Sequence, residues 1–198
     1  MNKYFKIENI DNLDNIVNKY KENDNISLVA RDVFYKKWRD YLLRKMEPNE
    51  IYDFFEDASV FWTLMQLKKN IFSEDCDEFN ECLNILRNEN ISLLERFSNV
   101  CDKTNGINIL KGIGPGITST MLSILYPDSC IVYNNASNDF LNYFNIEKTN
   151  FKGKKAEDKY YQYILFSKIL MEKYKFKNLI EVDCFIGYVK INYLRKQT

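Results

Sequence analysis

The chain has 198 residues, of which 45% are hydrophobic and 15% aromatic; this is one domain, or two small lobes sharing a core, with too much apolar material for wholesale disorder. It contains no histidine, which excludes imidazole acid–base chemistry, Ser–His and Cys–His nucleophile pairs, and every metal site that needs imidazole. The 28 Lys and Arg balance the 28 Asp and Glu overall, yet residues 1–100 hold 14 basic and 19 acidic side chains and residues 101–198 hold 14 and 9, so an acidic half precedes one suited to an anionic partner.

Residues 1–25 are polar and charged and lack the features of a targeting segment. No later apolar run approaches the roughly 18 residues of a membrane span, so the expectation is an intracellular protein, cytoplasmic or nucleoid-associated, without membrane contact. Only six glycines and three prolines interrupt the rest, and apolar residues recur at helical spacing, which predicts an all-α architecture of about eight helices in a single helical domain, 1–198.

After Ser27, a candidate N-cap, Val29, Val33, Phe34, Trp38, Tyr41, Leu42 and Met46 fall on one helical stripe. Pro48 suits the first turn of a second helix with Ile51, Phe55, Phe61, Trp62 and Met65 on its face. A third segment runs from about Ser73 through Phe79, Cys82, Leu83 and Leu86, breaks near Asn88–Asn90, and gives way to a fourth with Leu93, Leu94, Phe97 and Val100. Segments 156–174 and 178–195 complete the helical set. The five cysteines are scattered without a C-x-x-C pair and read as free, mostly buried thiols; no metal or other cofactor is expected.

One stretch differs from the rest. Gly112, Gly114 and Gly116 are three of the six glycines, with Ile113 between the first two and Pro115 between the second two. Glycines that accept positive φ can stop a short helix at about 105–110, and Pro115 can open the next, with Ile113 inserted between the two helices. The result is a helix-hairpin-helix motif over residues 105–127, whose amides from Gly112 to Ile117 form an anion site suited to a phosphate. Backbone contacts of that kind hold a phosphodiester without reading sequence. Lys111 adjoins the turn, and Lys152, Lys154, Lys155 and Lys159, followed by Tyr160, Tyr161 and Tyr163, could extend the same face with charge and stacking surfaces.

Leu-Lys-Gly-Ile-Gly-Pro-Gly from Leu110, the apolar helix after it, Tyr126-Pro127 and the strand-like Ile131-Val132-Tyr133 resemble the hairpin and following loop of the helix-hairpin-helix DNA glycosylase superfamily, which includes endonuclease III and the 8-oxoguanine glycosylases. The direct resemblance covers about residues 105–141. It implies a two-lobed helical fold with the hairpin between the lobes, and DNA as the partner. The family's catalytic aspartate falls on Asn134 here, and the hairpin lysine that forms a Schiff base in bifunctional members falls on Gly116. A neutral amide cannot act as a base or stabilise a developing cation as a carboxylate does. No four cysteines with cluster spacing follow, which excludes the iron–sulfur form. The expectation is therefore a DNA-binding member without the family's catalytic pair. Two alternatives accompany it: base excision relocated to Asp139, five residues past Asn134, and a scaffold that binds protein partners through the acidic N-terminal half.

Overall fold

Ten α-helices and a closing π-helical turn carry the chain among the residues that the computed structural model describes, which are 10–22, 26–62, 69–101, 112–146 and 155–194. No β-strand occurs among them, so the protein is all-α as its spacing predicts. The helices are α1 Ile10–Glu22, α2 Ile26–Leu42, α3 Pro48–Ser59, α4 Lys69–Glu74, α5 Cys76–Arg87, α6 Leu93–Val100, α7 Pro115–Leu125, α8 Asn135–Tyr143, α9 Ala156–Tyr174 and α10 Leu179–Val189, followed by the π-turn Lys190–Leu194.

Helix α1 lies in the stretch read from sequence only as polar. Its buried Leu13, Ile16, Val17 and Tyr20 recur at three- and four-residue spacing, a stripe narrow enough to be hidden among the surrounding Asn, Asp and Lys. Helix α2 begins at Ile26, so Ser27 lies inside it rather than capping it. Its buried face is also rotated from the expected one. Leu28, Arg31, Phe34, Tyr35, Trp38 and Leu42 turn inward, while Val29 and Val33 remain 65% and 62% exposed. Large rings set the rotation: Phe34 stacks on Phe54 at 6.1 Å, and Trp38 meets Phe54 edge-on at 5.4 Å.

Pro48 opens α3 as expected, and the Glu50 carboxylate accepts from the Glu47 N–H at 2.9 Å to secure its first turn. Phe61 and Trp62 lie beyond the end of α3 and close back on Phe34, at 5.2 and 5.8 Å between ring centroids; Met65 lies outside the described residues. The third expected segment is two helices, interrupted at Asp75, with Phe72 and Phe79 both packed on Phe55. Asn80 braces the loop before α3: its Oδ1 accepts from Met46 N–H at 2.7 Å, and its Nδ2 donates to the Met46 carbonyl at 2.9 Å. Ser92 caps α6 as the Ser–x–x–Glu pattern dictates, accepting from Glu95 N–H at 3.2 Å while Glu95 accepts from Ser92 N–H at 2.9 Å.

Helices α7 and α10 form the interior. Every residue of α7 from Thr118 to Leu125 is buried, as are Val182 to Ile186 of α10. Helix α2 packs against α3, α7 and α10; α9 against α6 and α10; and α1 and α8 both against α10. At the end of α9, Lys175 takes the left-handed conformation, φ 56°, that terminates helices. Asn178 then caps α10 by accepting from Glu181 N–H at 2.9 Å. No helix among the described residues is long and apolar enough to cross a membrane.

Candidate nucleic-acid interface

The glycine-rich turn enters α7 as the residue types require. Gly112 has φ 95°, a left-handed conformation that favours glycine, and Ile113 next to it is completely buried. Gly114 is extended, at φ −98° and ψ −177°, and stands at the N-cap of α7 with Pro115 at its first position. The Thr118 N–H closes the first helical turn onto the Gly114 carbonyl at 3.1 Å. Pro115 has no N–H to offer, which leaves the amides of Gly116 and Ile117 as the open donors of the helix start, and Gly114 has no side chain to cap them. Residues 112 and 114–117 are all half-buried, so the turn reaches the surface while Ile113 anchors it. A Cβ built on Gly114 would meet no atom within 4 Å.

A second helix start sits beside the first. A Cβ on Gly116 would lie 3.7 Å from the Asn134 Cβ and 4.0 Å from the Tyr133 carbonyl oxygen. Asn134 is the N-cap of α8: its Oδ1 accepts from Ala136 N–H at 2.8 Å and Ser137 N–H at 3.4 Å, and its own N–H donates to Ser137 Oγ at 3.2 Å. Ser137 Oγ in turn donates to the Val132 carbonyl at 3.1 Å. From α7, Ser119 Oγ accepts from Tyr133 N–H at 2.8 Å and pins the extended stretch 130–133 against the hairpin helix. The macrodipoles of α7 and α8 therefore both present positive ends to one locality.

Tyr133 is 8% exposed, with its ring 5.1 Å from Tyr163 and 6.3 Å from Tyr160, both fully buried. Burial pushes the Tyr160 hydroxyl well above its ordinary range, and does the same to Tyr163. The neighbouring Cys130 thiol is pushed up to about 11, again by burial. All three stay protonated at neutral pH, so none offers a base. Among the described residues, no three His, Cys, Asp or Glu side chains gather as a metal site would require.

The expected site residues divide by position. Gly112, Ile113, Gly114, Pro115, Gly116, Ile117 and Asn134 come together as just described. Asp139 is exposed on α8 and pairs with Lys190 of the π-turn, Nζ to carboxylate 3.2 Å. Lys155 is exposed at the N-cap of α9 and is followed by Glu157 and Asp158 in the first turn, which dilute its charge. Of the three tyrosines expected as stacking surfaces, Tyr160 and Tyr163 belong to the core and only Tyr161, 43% exposed, faces outward. The helical spacing of 160 and 163 was the signal for this. Lys111, Lys152, Lys154 and the first hairpin helix at 105–110 lie outside the described residues. The sequence reading missed Ser119 and Ser137, whose hydroxyls hold the two helix starts together. A Ser three residues past Asn134 is a capping-box signature that could have revealed the second.

A scan against protein-family models and searches of curated proteins and of solved structures returned no match.

Proposed function

We propose that this chain binds DNA without reading its sequence, with the open amides of Gly116 and Ile117 at the hairpin turn taking a backbone phosphate and with Lys111, Lys152, Lys154 and Lys155 adding charge. The observation that carries this reading is the uncapped start of α7: a left-handed Gly112, a Gly114 N-cap with no side chain to bond the Gly116 and Ile117 amides, and the α8 start beside them. The resemblance of residues 105–141 to helix-hairpin-helix DNA glycosylases supports the same partner, and with it a two-lobed arrangement around the hairpin. Asn134 in the family's catalytic place, with its Oδ1 committed to capping α8, favours binding over base excision. Excision relocated to Asp139 has less support, because that carboxylate is paired with Lys190.

Fluorescence anisotropy with labelled duplexes of unrelated sequence tests the proposal. Binding is expected at low salt, equal across sequences, with log affinity falling linearly in log salt as counterions are released. No association at low salt, or strong discrimination between duplexes, would contradict it. Release of a base from oligonucleotides carrying single lesions would restore the excision reading.

A further inference from the structure

Six large apolar side chains are exposed among the described residues, and three of them lie along one face: Val29 (65%) and Val33 (62%) on α2 and Leu43 (53%) one residue past its end. Between them on the same face stand exposed Lys36 and Asp40. The positions 29, 33, 36, 40 and 43 are separated by four, three, four and three residues, the spacing of a coiled-coil seam. The backbone carries this face through Leu43, whose N–H donates to the Arg39 carbonyl at 3.1 Å. The opposite face, with Arg31, Phe34, Tyr35, Trp38 and Leu42, is committed to the protein's own core. Helix α2 thus has one face covered by the fold and a second, uncovered one on which Val29, Val33 and Leu43 flank Lys36 and Asp40.

We infer that the uncovered face of α2 pairs with the same face of a second copy of this chain, antiparallel and about a two-fold axis level with Trp38. In that register Lys36 meets the partner's Asp40, Asp40 meets the partner's Lys36, and Val33 and Leu43 meet the partner's Leu43 and Val33. Each contact occurs twice, as an isologous interface demands. Two other arrangements fail on charge. A parallel pairing sets Lys36 on the partner's Lys36 and Asp40 on the partner's Asp40, and an antiparallel register centred on Lys36 also opposes the two lysines. The charges that could mate are free to do so: Lys37 is held by Asp57 at 2.6 Å and Arg44 by Glu50 at 2.6 Å, whereas Lys36 and Asp40 form no ion pair with any described residue. One helix of 17 residues, about 25 Å long, gives an interface at the small end of the specific range, so the dimer is weak and concentration-dependent.

Sedimentation velocity over a wide concentration range tests this, with far-UV circular dichroism to verify that each variant is folded. The wild-type mass is expected to rise from 23.7 kDa toward twice that value. Asp40→Lys and Lys36→Asp should each remain monomeric, with the association constant lowered at least tenfold. Mixed together, the two variants should form a heterodimer, because all charge contacts are then complementary again; the double swap Lys36→Asp/Asp40→Lys should recover self-association. A wild type that stays monomeric at all concentrations, or a dimer that the single reversals leave unchanged, overturns the inference.

Discussion

Asn134 shows how a residue can be legible in position and opaque in role. The resemblance singled it out as the place of a catalytic aspartate, whereas in the structure it is the N-cap of α8, its Oδ1 committed to the Ala136 and Ser137 amides, a matter of side-chain geometry that spacing does not reveal. Asn134→Asp would put a carboxylate on the same two donors at the positive end of α8, holding its pKa below the ordinary carboxylate value of about 3.9. A depressed folded pKa adds stability above the unfolded value and loses it as pH falls through the folded one. The variant should therefore be more stable to unfolding than wild type at neutral pH, by about 0.3–1 kcal/mol, with the gain vanishing in acid below about pH 4. Scanning calorimetry across that range checks it; a variant less stable than wild type at neutral pH would show that Asn134 needs its amide donor. Thiols give a second test at this scale. Burial pushes Cys82 up to about 12 and Cys130 up to about 11, and it also raises Cys184, while Cys101 is buried and Cys76 alone is half-exposed. In the native protein an aromatic disulfide reagent at mild pH should titrate at most the Cys76 thiol, with the other four appearing only on unfolding.

Helix starts were readable at Pro48 and Pro115 but not at Ser27, which was read as a cap and lies inside α2. Pro48, Ser92, Pro115 and Asn178 each stand where their side chains dictate. Faces were less readable, because a helix such as α2 carries more apolar residues than one face can use. The packing of Phe34 and Trp38 on Phe54, together with the Tyr35–Ser123 and Arg31–Asp183 contacts, marks which of them turn inward. Between α7 and the extended stretch before α8, the deciding contact is the Ser119 hydroxyl accepting from the Tyr133 N–H. Ser119→Ala leaves that buried N–H without its partner, at a cost of about 1–3 kcal/mol in denaturant unfolding. It should also loosen the placement of Asn134 beside the hairpin, visible as faster amide exchange at 133–137. An unchanged midpoint together with unchanged exchange would mean that Ser119 does not pin the two helix starts.

For the molecule as a whole, the acidic and basic halves of the sequence meet inside it. Arg31 of α2 and Asp183 of α10 form an ion pair at 8% and 5% exposure, and the guanidinium lies 4.8 Å from the Trp62 ring centroid and 5.3 Å from that of Phe61. Neither charge was singled out by the sequence, since pairing partners 152 positions apart leave no local mark. Arg31→Met strands the Asp183 carboxylate and should cost about 3–5 kcal/mol, whereas Arg31→Met/Asp183→Leu should recover most of it, because an apolar pair needs no desolvation. Equal losses in the single and double variants would show that the guanidinium acts through its ring contacts instead. The proposed phosphate grip depends on that scaffold and on one position at its surface, Gly114, where backbone angles suit any residue and a Cβ meets open space. Gly114→Ala should keep the open amides and bind DNA within about threefold of wild type. Gly114→Asp should fold as well or slightly better, because aspartate caps a helix, while its carboxylate occupies the Gly116 and Ile117 donors and repels phosphate. The decisive measurement is low-salt DNA affinity of these two variants side by side: loss of at least tenfold in Gly114→Asp with Gly114→Ala near wild type is the expected result, and equal affinity in all three proteins would contradict the hairpin grip.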